Sequence, residues 1–439
     1  MARDHDDDRR RAPRTGGGAA PASTCALLSW ALYDWANSSF PTIIQTFVFA
    51  TYFTRAVAAD PTAGTRQWGT ALAIAALVVA VAAPLLGATT DQTGRRKAWV
   101  GGCTVVTVVA TALLWLVEPS PEWVGPALAL LVLGTVGFEL ASLLYNAMLP
   151  ALADPARLGR WSGWGWGLGY AGGLVSLVLA LVLFINDGAA VGGLDRAASE
   201  HVRATFVLAA VWYAVFALPL FLFTPDRSVR AESLGRGLRD GVRQLADTVR
   251  QARRYAGLIR FLVAHLFYVD GLATLFAFGG VYAAGTFDMD ERDVLLYGIA
   301  LNVTSGLGAA GFAWIDDWIG SRRTILVSLA GLVLAGTALL FIEGRTLFWT
   351  LGMVLGVFVG PAQASSRAYL ARVAPPALAN QMFGLYAFSG KATAFIGPLM
   401  VGWLTHASGS QRVGMSAIVL LLVVGLGLML TVPEGERDI

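Results

Sequence analysis

The 439 residues carry 32 Lys and Arg against 29 Asp and Glu, for a formal net charge of +3, and are 56% hydrophobic but only 14% charged; their mean hydropathy is +0.61. A soluble domain is roughly a quarter charged, so the chain reads as a polytopic membrane protein rather than a soluble enzyme or a nucleic-acid binder. Two cysteines, Cys25 and Cys103, and four scattered histidines, His5, His201, His265 and His406, give neither a disulfide framework nor metal-ligand spacing.

Residues 1–26 are polar and mixed in charge (DHDDDRRRAPR, then Gly, Ala and Pro), unlike a basic n-region with an apolar h-region and cleavage site. They read as a disordered cytoplasmic tail. Crossing a hydrocarbon core of about 30 Å takes roughly 20 helical residues. Apolar runs of that order follow at 27–55, 67–90, 98–117, 124–150, 161–186, 204–224, 259–284, 294–315, 324–341, 347–372, 381–405 and 413–432. They are far longer than barrel strands and apolar on every face, which predicts an all-α bundle of twelve transmembrane helices.

Between the sixth and seventh runs, Leu234, Leu238, Val242, Leu245 and Val249 recur at helical spacing, with Arg236, Arg239, Arg243 and Arg250 elsewhere around the helix. This pattern predicts an amphipathic helix on the membrane surface. The chain thus divides into a six-helix bundle over 27–224, a linker over 225–258, a second six-helix bundle over 259–432 and a tail over 433–439. Of the Lys and Arg residues, 23 fall in the tails and in the loops after even-numbered spans, 7 in the alternate loops and 2 inside spans. Translocating positive charge is disfavoured, so both termini are expected in the cytoplasm, with the protein in the plasma (inner) membrane.

The two halves read as pseudo-repeats. After the second span comes GATTDQTGRRK, with Gly87, Asp91, Gly94, Arg95, Arg96 and Lys97; after the eighth comes AWIDDWIGSRR, with Asp317, Gly320, Arg322 and Arg323. Each places an aspartate three residues before a glycine, with basic residues behind. Glycine permits the tight turn, the cations hold the loop in the cytoplasm, and the aspartate can pair with them or cap a neighbouring helix.

These loops resemble the G-x-x-x-D-x-x-G-R-R/K signature of the major facilitator superfamily. The second copy departs from it, with Ala313 at the first glycine position and Ser321 at the first basic one. The resemblance implies a fold in which helices 1, 4, 7 and 10 line a central cavity and 3, 6, 9 and 12 lie outermost.

The intramembrane charges are Asp34 in the first span, Glu139 in the fourth, Asp270 in the seventh, Arg367 in the tenth and Lys391 in the eleventh. At about 2.5–3.5 kcal/mol each, five charges facing lipid would cost roughly 12–17 kcal/mol, so they must face water or one another. Regular helical spacing puts Asp34, Asn37, Ser38, Gln45 and Tyr52 on one face of the first span, and Glu139 with Asn146 on one face of the fourth. Each charge is either part of a solute pathway or half of a fixed ion pair locking the two bundles. SGWGWGLGYAGG at 162–173 spaces Gly165, Gly169 and Gly173 four apart, a small-xxx-small surface expected to pack against the other bundle.

Several stretches resemble one branch of that superfamily, the vacuole-effluxer-like (autophagy-related amino-acid effluxer) proteins. They are YDWANSSF at 33–40, YNAMLP at 145–150, the glycine run at 162–173, YVDGLATLFAF at 268–278, QASSRAYLARVAP at 363–375, which holds Gln363 and Arg367, and FGLYAFSGKATAFIGP at 383–398. Ser39 and Val269 depart from the pattern. The resemblance implies a secondary transporter that exports small solutes by alternating access, with amino acids as cargo. Carboxylates and cations in one cavity suit a zwitterion, whose two charges each need an opposite partner. A sugar, which Trp161, Trp164 and Trp166 with Asn37, Gln45 and Asn146 would suit, is the alternative, and a non-transporting membrane receptor is another. No catalytic constellation, cofactor motif or nucleotide site is visible. An ion gradient would then supply the energy, with a proton titrating Asp270 or Glu139, in a monomer.

Overall fold

The computed structural model describes residues 23–186, 191–225, 243, 247, 255–289 and 291–434. Nearly all of the expected tail over 1–26, most of 433–439 and the expected amphipathic helix of the linker lie outside the described residues. Those described form helices and no strand. The twelve passes are α1, which opens with Thr24–Asn37, α2 (Pro61–Thr93), α3 (Arg96–Leu113), α4 (Val124–Asn146), α5 (Leu158–Ala180), α6 (Glu200–Phe223), α7 (Ala256–Phe287), α8 (Glu291–Ile319), α9 (Ser321–Phe341), α10 (Arg345–Val373), α11, in two pieces Ala379–Ala392 and Ile396–Ser408, and α12 (Gln411–Leu430). Ten of them are unbroken helices long and apolar enough to cross a membrane. The other two, α1 and α11, are interrupted.

Both interruptions have a proline behind them. A helical proline lacks its N–H and crowds the carbonyl four residues back. Pro41 opens a π-wound stretch, Phe40–Phe47, and a second one, Phe53–Val57, completes the pass. The amides of Val48 and Ala58 accordingly reach back five residues, to Ile43 and Phe53. The wide turns shift the register, so the regular stripe expected on the first span does not persist. Asp34 faces the second bundle, whereas Tyr52 is buried and donates to the Val117 carbonyl at 2.8 Å. In α11, Pro398 stands behind the break at 393–395.

The pairings α1–α6, α2–α4, α3–α4 and α3–α6 recur six helices later as α7–α12, α8–α10, α9–α10 and α9–α12. Between the two sets, α2 packs on α11 and α5 on α8, and adding six to the first pair's α2 and subtracting six from its α11 gives the second. Both contacts rest on glycines. A Cβ on Gly87 would strike the Asn380 carbonyl, and one on Gly384 would lie 2.7 Å from the Ala83 carbonyl. On α5, a Cβ on Gly163 would lie 2.6 Å from the Ala309 carbonyl and from Ala313 Cβ. The alanine that departs from the second loop signature is thus accommodated by a glycine on the facing helix.

Gly159, Gly163 and Gly167 meet α8 of the second bundle. Of the expected Gly165, Gly169 and Gly173, Gly165 alone also reaches that bundle, where a Cβ would lie 2.8 Å from Arg367 Nη2. These last three lie against α1, close to Asp34, Ser38 and Thr42. A two-residue offset is about 200° around a helix, which carries a side chain to the opposite face.

The two bundles touch near the α2–α3 and α8–α9 connections and part toward the other side. Leu77, two turns from Pro84 on the same face of α2, is 68% exposed; Val178, three turns beyond Gly167 on α5, is 47% exposed.

Candidate solute pathway and its closure

At the closed end, α10 reaches into the first bundle through Arg367. Its Nη1 donates to Asp34 Oδ2 on α1 at 2.8 Å and to Asn146 Oδ1 on α4 at 3.0 Å. Its Nε and Nη2 donate to the Ser162 hydroxyl at 2.9 Å and the Ser162 carbonyl at 2.6 Å on α5. The guanidinium stands over the rings of Trp30 and Trp166 at 4.9 and 5.7 Å. Arg367 and Asp34 side chains are 3% and 14% exposed, so a flat, always-charged fork is desolvated yet satisfied by three helices of the other bundle.

The two loop aspartates perform matching tasks. Asp91 accepts from the amides of Asn380 and Gln381, at 3.1 and 2.8 Å, and from Asn380 Nδ2 at 2.7 Å. It thereby caps the first turn of α11, where amides lack intrahelical partners and the helix dipole favours an anion. Asp317 accepts from the Arg160 amide at 3.2 Å in the first turn of α5. It also pairs with the side chains of Arg160 and Arg372, at 3.4 and 3.2 Å. Asp316 joins this cluster through Arg372 at 2.6 Å and Ser321 at 2.8 Å. Each loop therefore caps a helix of the opposite bundle.

The basic residues behind the loops act within their own bundles. Arg322 and Arg323 pair with Glu434 at 3.3 and 3.0 Å rather than with Asp317. The hydrogen bond from Arg323 holds the Glu434 carboxyl below its ordinary value. Arg96 donates to the Ala147 carbonyl at 2.8 Å, Arg95 is exposed, and Gly94 and Gly320 turn their loops at φ of 66° and 90°.

Deeper in the bundle, charge gathers at the α11 break. Lys391, in the last turn of the first piece, lies 2.7 Å from Glu139 on α4, with side chains 33% and 20% exposed. A cation suits a helix C-terminus, and the pair spans the two bundles. Asp270 on α7 caps the second piece: its Oδ2 accepts from the Gly397 amide at 3.0 Å, and the residue is 3% exposed. Glu139 and Asn146, expected on one face of α4, do both face the second bundle.

The remaining polar candidates hold helices together. Gln363 accepts from Tyr170 at 3.0 Å across the bundles, and Gln45 donates to Thr135 at 3.0 Å within the first. Asn37 is buried. Trp161 stacks edge-on against Trp164, and Trp164 against Trp314. Sequence reasoning missed Arg160, Ser162, Asp316 and Arg372. Arg160 stands just before the fifth span and Arg372 at the end of the tenth, where loop cations are ordinary, and Asp316 is masked by its neighbour Asp317.

A family model described as "Vacuole effluxer Atg22 like" matches residues 70–437. The chain is 26% identical over 410 residues to an uncharacterized MFS-type transporter, YxiO, of Bacillus subtilis, covering 92% of this chain and 94% of that one. It is 25% identical over 304 residues to autophagy-related protein 22-1 of Penicillium rubens, 64% of this chain but 50% of that one, so it spans about half the length of that fungal relative. Among solved structures, it resembles the proton:xylose symporter XylE with a TM-score of 0.72, 13% identity and coverage of 93% and 96% of the two chains. It also resembles the transporter FucP in its outward conformation, with a TM-score of 0.71, 13% identity and coverage of 93% and 98%.

Proposed function

This chain belongs to the vacuole effluxer Atg22-like family and is a membrane transporter of the major facilitator fold, and on that premise we propose that its cargo is a small zwitterion, an amino acid or a close analogue, exported by proton-driven alternating access. The two bundles, 27–224 and 259–432, are the units that rock, each monomer carrying one pathway. Both termini face the cytoplasm of a cell whose plasma membrane holds the protein, which makes the described conformation outward-facing.

The observation that carries this reading is the Glu139–Lys391 pair. It joins the two bundles and is more open than Asp34–Arg367. A zwitterion entering there offers an ammonium to Glu139 and a carboxylate to Lys391, so each charge keeps an opposite partner. Cargo then substitutes for a contact that ties the bundles together, which couples occupancy to access. The sugar reading is less supported, because Asn146, Gln45 and Trp164 are engaged between helices and Trp161 packs edge-on against Trp164. The chain lacks a recognisable nucleotide motif, and carboxylates in membrane spans serve as proton relays, with Asp270 and Glu139 the candidates.

The test is uptake into proteoliposomes with and without an imposed pH gradient, preceded by a thermal-shift screen of amino acids, sugars and nucleosides. Amino acids should raise the melting temperature and accumulate on the gradient, and Glu139→Gln and Lys391→Met should each abolish accumulation. Stabilisation by sugars alone, or accumulation indifferent to the gradient, overturns the reading.

A further inference from the structure

The amides that open the second piece of α11 account for themselves one by one. Ile396 donates to the Thr393 carbonyl at 2.8 Å, Pro398 has no N–H, and Leu399 donates to the Phe395 carbonyl at 3.2 Å. The Gly397 amide alone must look outside its helix, and it finds Asp270 Oδ2. The other oxygen, Oδ1, is buried and makes no hydrogen bond to another protein group. Among the described residues no cation pairs with this carboxyl.

The charged and titratable groups on α7 and the helices around it are engaged elsewhere or set apart. On α7, His265 bonds Ser389 and Tyr268 bonds Ser366. On α10, Arg367 holds Asp34 and Tyr369 donates to the Pro433 carbonyl. On α11, Lys391 holds Glu139 and Tyr386 lies against the His265 ring. From α12, Leu421, Leu422 and Gly425 face α7 near Gly271 and Tyr268.

From this geometry we infer that Asp270, rather than Glu139, takes up and releases the coupling proton, and that its protonation state decides whether the second piece of α11 stays docked on α7. The inference rests on the proton-driven reading above. The step is a single O–H bond, formed on Oδ1 with a proton from water of the open pathway and broken when it returns. With the carboxylate ionised, Gly397 makes a charge-assisted bond and the anion faces the positive end of a helix. With the proton on, both attractions weaken and the joint at 393–395 loosens.

Infrared difference spectra of the reconstituted protein, titrated without cargo, test the assignment. A pH-dependent carboxyl C=O band that shifts in D2O should appear in wild type and in Glu139→Gln and vanish in Asp270→Asn. Hydrogen exchange at Gly397, Leu399 and Met400, corrected for intrinsic rates, should lose about tenfold in protection as the band grows. In Asp270→Asn the same amides should show the lower protection of the neutral state at every pH. A band that persists in Asp270→Asn overturns the inference. So does wild-type protection at these amides that is indifferent to pH, a result that needs no variant to fold. An Asp270 band in a protein that accumulates nothing on a pH gradient upholds this assignment and fails the transport reading instead.

Discussion

Arg367 Nη1 lies 2.8 Å from Asp34 Oδ2, joining α10 of one bundle to α1 of the other where both side chains are largely out of water. Removing one member of such a pair strands the other, at a cost of about 3–5 kcal/mol. Asp34→Ala should therefore disfavour the closed arrangement at this end. Spin labels at Ala156 and Ala377, exposed loop positions in the two bundles, should report a longer distance population than in wild type. An unchanged distribution would mean that the pair adds nothing to closure.

Asp91 and Asp317 cap α11 and α5 from opposite bundles. Loss of a cap costs about 0.5–2 kcal/mol, so Asp91→Ala and Asp317→Ala should each lengthen the Ala156–Ala377 distance. The Asp317 variant should do so more strongly, because it also frees Arg160 and Arg372. Equal effects would show that the ion pairs of Asp317 add nothing beyond its cap.

The two glycine sets on α5 should respond differently to a methyl group. Gly163→Ala places Cβ 2.6 Å from α8 and should separate the bundles, as overpacking costs about 1–3 kcal/mol. Gly169→Ala meets Ser38 Oγ at 3.0 Å within the first bundle and should lower the melting temperature while leaving the inter-bundle distance unchanged. The reverse pattern would contradict the assignment of faces.

Cys25 is exposed at the start of α1, and Cys103 is half-buried in α3. With Cys103→Ser as background, a membrane-impermeant maleimide should label Cys25 in inside-out vesicles and not in intact cells. Labelling from outside would reverse the proposed orientation and, with it, the outward-facing reading.

Pro398 stands behind the break in α11. Pro398→Ala restores an N–H and removes the crowding of the residue-394 carbonyl, so amides at 393–396 should gain protection against hydrogen exchange. Unaltered exchange there would mean that tertiary contacts, not the proline, hold the break open.

The sequence by itself determined the class of molecule, because hydrocarbon accepts only a backbone satisfied internally, within helices or around a closed barrel, and runs of some 20 apolar residues report the helical solution directly. It also determined the paired loops, since an aspartate, a turn glycine and a basic cluster are local requirements written in adjacent residues. The intramembrane charges were legible for the same reason: each is costly wherever it points. What the tertiary structure alone decided was the partner of each. Asp91 meets Asn380, 289 positions away, and Arg367 meets Asp34 at a separation of 333; no local pattern encodes such distances. Regular spacing also failed where the backbone departs from 3.6 residues per turn, as it does after Pro41, and where one helix carries two interleaved glycine rows, as α5 does. In both cases the choice of face was made by the helix packed against it.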